Sequence, residues 1–161
     1  MKEIKIYTDG SCIGNPGPGG WAVLILDGAK KIILKGREPY TTNNRMEMMA
    51  IIEALKWMET VPSAKAASSI NKAEIFSDSN LLIQSLTQNW KRKKNKDLWT
   101  QLDKHLKNKT IKWTWVEGHA DNKYNNEVDK LAISESLLAQ KLSHKNPALA
   151  KSDWESQQKL F

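Results

Sequence analysis

The chain has 161 residues, enough for a single domain with a full hydrophobic core. Lys and Arg outnumber Asp and Glu by 25 to 18, for a formal net charge of +7 and a pI near 9.4, a balance that biases a protein toward polyanions by long-range attraction and counterion release. No apolar run approaches the ~18 residues of a membrane span, no signal-peptide pattern precedes the first strand, and the one cysteine, Cys12, excludes an internal disulfide and leaves no Cys/His set for structural zinc, so the expected setting is reducing and cytoplasmic, with no membrane partner.

Residues 3–9 alternate apolar and polar, and Asp9 runs directly into Gly10-Ser11. The pattern predicts a strand that ends in a carboxylate with a turn behind it. Gly14-Asn15-Pro16-Gly17-Pro18-Gly19-Gly20 reads as a turn-rich loop rather than strand interior. Residues 21–27 are nearly continuous apolar, as in a central strand. Asp27-Gly28 is a turn signal, and residues 30–37 complete a hairpin. Thr41-Thr42-Asn43-Asn44 supplies cap-type residues for a helix over 45–58, with Met46, Met49, Ala50, Ile52 and Leu55 at helical spacing. Residues 59–72 are small and polar and predict a surface loop. A short strand, 73–77, leads into Asp78, and a short helix follows around 81–86. The basic run Lys91-Arg92-Lys93-Lys94-Asn95-Lys96 precedes a helix over 97–107. Residues 111–116 form a last strand with at least one of Trp113 and Trp115 in the core, and an amphipathic helix spans 125–141. Antiparallel strands followed by strand–helix alternation predict an α/β sheet with helices packed on it, whose sites gather outside strand ends.

Asp9, Glu47, Asp78 and Asp129 all lie at or near the ends of these elements. For any one of them alone, capping or facing water is the plainer reading. If the strands ending at Asp9 and Asp78 are parallel neighbours, those carboxylates stand side by side. Crowded like charges repel, so such a group persists only with cations among it. Oxygen donors without Cys or His suit Mg²⁺ or Mn²⁺. Two such ions can activate a water and stabilise the leaving oxygen of an in-line phosphoryl displacement.

Tyr7-Thr8-Asp9-Gly10-Ser11-Cys12, the stretch Gly14 to Gly20, Thr41-Thr42-Asn43-Asn44-Arg45-Met46-Glu47, Ser77-Asp78-Ser79, Lys112-Trp113-Thr114-Trp115-Val116 with Gly118-His119, and Asp129-Lys130-Leu131-Ala132 together resemble type 1 ribonuclease H of the bacterial kind. The resemblance covers residues 3 to about 141. It implies the ribonuclease H-like α/β fold: a mixed five-stranded sheet of three antiparallel and then two parallel strands, with helices on both faces. It also implies endonucleolytic cleavage of the RNA strand of an RNA–DNA hybrid with two Mg²⁺ ions, or Mn²⁺ as substitute, leaving 5′-phosphate and 3′-hydroxyl ends. On that resemblance Asp9, Glu47, Asp78 and Asp129 match the metal-binding carboxylates. His119 matches a histidine assisting proton transfer or product release, a role suited to imidazole. Asn15, Asn43, Asn44, Asn80 and the backbone around Cys12 match groups that read the RNA strand, and Thr42 matches one that holds a DNA phosphate. Asn80 departs from the glutamine frequent at its position. The longer basic protrusion of some relatives is contracted here, without its supporting helix. Trp90, Lys91, Arg92, Lys93 and Lys94 are still expected to grip the DNA strand, against the alternative of a solvated helix junction.

The expected organisation is a catalytic domain over 1–142 and a C-terminal tail over 143–161, in a monomer. The tail ends Gln157-Gln158-Lys159-Leu160-Phe161. Gln157, Leu160 and Phe161 resemble the short peptides that dock on the bacterial sliding clamp; the alternative is that Trp154, Leu160 and Phe161 fold back over apolar surface. Two rivals to a hydrolase are a non-catalytic hybrid-binding module and another two-metal nuclease or transferase of the same fold. Four mutually repelling acids speak against the first, and Asn43-Asn44 with the basic run speak against the second.

Overall fold

A computed structural model describes residues 3–60, 70–88, 92–118 and 121–143. In chain order the elements are β1 (Ile4–Cys12), β2 (Gly17–Asp27), β3 (Lys30–Thr41), α1 (Asn43–Thr60), β4 (Lys72–Ser77), α2 (Asn80–Thr87), α3 (Lys96–Leu106), β5 (Thr110–Trp115) and α4 (Lys123–Ser143). The strands form one sheet in the order β3-β2-β1-β4-β5. β1 pairs antiparallel with β2, and β2 with β3; β1 pairs parallel with β4, and β4 with β5. This is the mixed α/β sheet expected from the sequence.

The two-residue period of a strand puts alternate residues of β1 and β2 on opposite faces, both covered by helices, which is why β2 reads as a dense apolar run. On one face Ile4, Ile6, Val23, Ile25 and Ile75 meet α1 and α3 through Met48, Ile51, Ile52, Leu55, Leu98 and Leu102. On the other, Tyr7, Ala22 and Leu24 meet Val128 and Ala132 of α4. Ile51, Ile52, Leu55 and Met58 are fully buried. Each is worth about 1.5–3 kcal/mol, against about 1 kcal/mol for a helix cap. Packing therefore holds α1 in place, and the cap only trims its entry. That cap is Thr42, whose Oγ1 accepts from the Arg45 N–H at 3.3 Å.

Two local expectations are corrected. β1 continues past Asp9 to Cys12, and Gly17–Gly20 belong to β2, with an irregular register between Gly17 and Gly19. The loop between these strands shrinks to 13–16. At Gly20 the missing side chain lets α4 cross the strand closely. A Cβ on Gly20 would stand 2.5 Å from the Ala132 carbonyl oxygen and from the Ser136 nitrogen of α4. Of the two tryptophans, Trp113 packs on the core and Trp115 is 50 % exposed. No helix among the described residues is long and apolar enough to cross a membrane. The tail beyond Ser143, including Trp154, Gln157, Leu160 and Phe161, lies outside the described residues.

Candidate active site

The register of the parallel pair places Tyr7 opposite Phe76. Two residues further along each strand come Asp9 and Asp78, so both carboxylates leave the same end of the sheet. α1 brings the third. It can approach because residue 10 is glycine: a Cβ there would lie 2.4 Å from the Glu47 nitrogen and 2.6 Å from the Met46 carbonyl carbon. Oxygens of Asp9, Glu47 and Asp78 consequently lie within 4.8 Å of one another. Asp129, from the second turn of α4, is near enough to Asp9 to help raise its pKa and lies outside that trio.

The cluster is electrostatically strained. Asp9 is 3 % exposed and Glu47 4 %. Burial, and then the neighbouring Asp78 charge, push the Asp9 carboxyl up to about 8. Burial followed by Asp9 and Asp78 raises Glu47 well above the carboxylate range. The Gly10 N–H donates to Asp9 Oδ1 at 2.8 Å, a small compensation. Glu47 Oε2 is buried and has no hydrogen-bond partner among the described residues. An unpartnered buried carboxylate oxygen facing other acids fits a hard divalent cation, whose charge reverses the repulsion and whose binding displaces protons. The donor set is all oxygen, which matches that class of ion.

Several other predicted residues gather at this end of the sheet. Asn15 Oδ1 accepts from the Asn43 N–H at 3.0 Å, tying the loop at 13–16 to the start of α1. Asn44 and Asn80 are exposed at the first turns of α1 and α2. Cys12 Sγ donates to the carbonyls of Thr41 and Gly17 at 3.3 and 3.5 Å, and burial raises its thiol. A cleft of about 670 Å³ opens beside the cluster, with Asn44, Glu47, Ser79, Lys93, Lys94 and Trp99 among its lining residues. Lys93 and Lys94 are exposed. Arg92 is not available in the same way: its guanidinium lies 4.2 Å over the Trp99 ring and pairs with Asp103 at 2.7 Å. Trp90, Lys91 and His119 fall outside the described residues. Gly118, the neighbour of His119 in sequence, lies against Asp78, where an added Cβ would be 3.4 Å from Asp78 Oδ2.

Sequence reasoning missed one structural pair beside the site. Arg45 makes a two-pronged ion pair with Asp97 at 2.7 and 3.0 Å and also donates to Asn95 Oδ1 at 3.2 Å, clamping the first turn of α1 to α3. The Arg45 guanidinium holds the Asp97 carboxyl below its usual range. The only local sign was Asn95 itself, a residue type tolerant of the left-handed backbone it adopts at φ 58° ahead of α3.

A sheet that delivers acids from the ends of two parallel strands, joined by acids from helices, makes a carboxylate site suited to a hard divalent cation. Comparison with known proteins gives the family. The RNase H family profile matches residues 1–136. A ribonuclease H of Acetivibrio thermocellus is 40 % identical over 149 residues, covering 84 % of this chain and 95 % of that one. The N-terminal RNase H domain of a Mycobacterium tuberculosis protein superposes with a TM-score of 0.75 at 22 % identity, over 89 % of this chain and 99 % of that one. The structure of LC11-RNase H1, solved in complex with RNA/DNA hybrid, has the same fold, with a TM-score of 0.69 at 23 % identity over 85 % of this chain and 99 % of that one. The chain belongs to the RNase H family, metal-dependent hydrolases of the RNA strand in RNA–DNA hybrids.

Proposed function

We propose that Asp9, Glu47, Asp78 and Asp129 hold two Mg²⁺ ions and that the chain cuts the RNA strand of a hybrid endonucleolytically, leaving 5′-phosphate and 3′-hydroxyl ends. One observation carries this reading: oxygens of three acids from three separate elements lie within 4.8 Å, around a buried carboxylate oxygen without a hydrogen-bond partner among the described residues. A pair of bound divalent cations supplies Lewis-acid stabilisation to the attacking and leaving oxygens of an in-line displacement. The chain's part is to hold the four carboxylates in place for the ions, whose binding displaces their protons, and to present the scissile phosphate to them. His119 is assigned the proton-transfer or product-release role.

Selectivity for the hybrid must come from groups that sense a 2′-hydroxyl, the only local mark of an RNA strand. Asn15, Asn43, Asn44, Asn80 and the Cys12 backbone are assigned that task. They are short and polar, and all sit at the acidic end of the sheet. Thr42, Trp90 and the run Lys91 to Lys94 are assigned to the DNA strand. With Arg92 engaged by Trp99 and Asp103, Lys93 and Lys94 are the described members of the run best placed to meet phosphates. The domain is assigned to 1–142, acting as a cytoplasmic monomer, with Gln157, Leu160 and Phe161 of the tail as a sliding-clamp contact. A clamp pull-down that survives deletion of 157–161 would remove that last assignment.

The deciding assay is cleavage of end-labelled RNA–DNA hybrid beside single-stranded RNA, duplex RNA and duplex DNA, with Mg²⁺, for the native chain and Asp9→Asn. The expected result is cleavage of hybrid alone, lost in the variant. Equal cleavage of duplex RNA, or full activity in Asp9→Asn, overturns the proposal.

A further inference from the structure

Trp115 is half exposed at the last position of the edge strand β5, so core packing does not account for it. Its polar end does. The indole Nε1–H donates to the main-chain carbonyl of Asp78 at 3.1 Å. The surrounding bonds show what that contact completes. Ser77 is paired in register with Trp115, and its carbonyl accepts the Val116 N–H at 3.0 Å. Ser77 Oγ accepts the Ser79 N–H at 3.1 Å, and Ser79 Oγ caps α2 by accepting the Leu82 N–H at 3.4 Å. The residues on either side of Asp78 are thus fixed by backbone pairing and by a helix cap. The Asp78 carbonyl itself lies at the strand-to-helix turn, beyond the sheet ladder and ahead of the helix. A long side chain from β5 holds it.

We propose that Trp115 is a positioning residue: through its indole N–H it fixes the Asp78 main chain, so that the carboxylate is aimed at Asp9 and Glu47 before any substrate arrives. The inference rests on Asp78 being a metal ligand. A turn free to rotate about its own φ and ψ would present that carboxylate over a range of directions, and a site of this kind depends on tight geometry. Because the contact lies on the surface, its loss should not loosen the core. The segment that supplies it, Trp115 to Gly118, also passes against the Asp78 carboxylate.

The test compares the full chain with Trp115→Phe, which keeps an aromatic ring and loses the donor, and Trp115→Gln, whose amide nitrogen stands the same number of bonds beyond Cβ as the indole nitrogen. Mn²⁺ affinity is read by titration calorimetry on the substrate-free protein. Hybrid KM, kcat and thermal midpoint are measured beside it. Trp115→Phe should weaken Mn²⁺ binding about fivefold, the effect of one hydrogen bond, and lower kcat at limiting metal. Hybrid KM and the thermal midpoint should stay unchanged, and Trp115→Gln should recover most of the loss. Unaltered Mn²⁺ affinity in Trp115→Phe overturns the inference. So does an equal loss in both variants, which would mean that the ring and not its N–H matters, or a loss that tracks a falling thermal midpoint. Asp78→Asn separates the two levels. If that variant binds Mn²⁺ and cleaves hybrid normally, the functional reading fails; if it is dead while Trp115→Phe is unaffected, only the positioning role fails.

Discussion

Asp9→Asn should make the metal-free protein more stable while abolishing its activity. Asp9 is 3 % exposed, and burial with the Asp78 charge lifts its pKa from 3.8 to about 8. The unfolded chain ionises this group near the ordinary value. Between those two pH values the folded state retains a proton that the unfolded state has released, so the metal-free fold loses stability as pH rises from about 4 to about 8 and regains it on acidification. From 3.8 to pH 7, at about 1.36 kcal/mol per unit, the ceiling is ~4 kcal/mol. Burial, the first cause of the shift, also costs a buried asparagine amide, so replacing the ionisable carboxyl should return roughly half, ~2 kcal/mol. Asparagine nearly preserves the shape and cannot ionise. For a domain of this size ~2 kcal/mol corresponds to a rise of about 4–8 °C in melting temperature. Calorimetric melts with a chelator at pH 7 and pH 5 measure it. The gain should be present at pH 7 and reduced to a minor fraction at pH 5, where the native carboxyl costs little. Excess Mg²⁺ should narrow the difference, because it stabilises the native chain more than the variant. A variant no more stable than the native chain at pH 7, or a gain as large at pH 5, would refute the assignment of strain to this cluster.

Gly10→Ala would push a Cβ to 2.4 Å from the Glu47 nitrogen, and α1 backbone cannot yield as a side chain can. We expect a loss of about 2 kcal/mol or more in urea unfolding, together with weaker Mn²⁺ binding; a neutral outcome would mean that α1 is not seated on β1 as described. Arg45→Ala leaves Asp97 largely buried without its partner, the two side chains being 11 % and 15 % exposed, and should cost ~3 kcal/mol in the same assay. Because Asp97 is held below its usual range, that contribution is present above about pH 4 and fades as pH falls through its depressed pKa; a pH-independent difference between native and variant below pH 4 would contradict it. Lys93→Ala with Lys94→Ala should raise hybrid KM severalfold and reduce the slope of log affinity against log salt by up to about two, with kcat unchanged. An identical salt dependence would show that neither lysine meets a phosphate.

The strands, helices and the acids at their ends were legible because two-residue and helical periods report which face of an element is buried. Periods do not report which element lies beside which. That β1 and β4 are parallel neighbours, and hence that Asp9 meets Asp78, followed from the family resemblance and not from the pattern. Gly17–Gly20 were misread for a related reason. Glycine and proline weaken a strand locally, yet here the helix that crosses β2 needs a residue without a side chain, so tertiary packing overrode the local signal. The Arg45–Asp97 clamp joins residues 52 positions apart, and the only local sign of it is Asn95. Arg92 shows the opposite failure: composition counts it as a free positive charge, whereas Trp99 and Asp103 already hold it.

The two glycine contacts explain how acids from separate elements come together at one end of the sheet. Asp9 and Asp78 are neighbours by strand pairing alone. Glu47 and Asp129 arrive on helices, and each helix is seated by a glycine in the sheet beneath it: Gly10 under α1, Gly20 under α4. Large apolar residues on the same helices, among them Met48, Ile51, Ile52, Leu55 and Val128, provide the attraction that presses them down. The hydrophobic core, built over most of the sheet, therefore supplies the force that holds the acids together at one edge. That division explains why the cluster can remain strained without unfolding the domain: the opposing term is a few kcal/mol, and burial of the α1 side chains alone exceeds it. A cation bound here would not assemble the site, since packing has already done so; it would relieve a repulsion that the fold has built in.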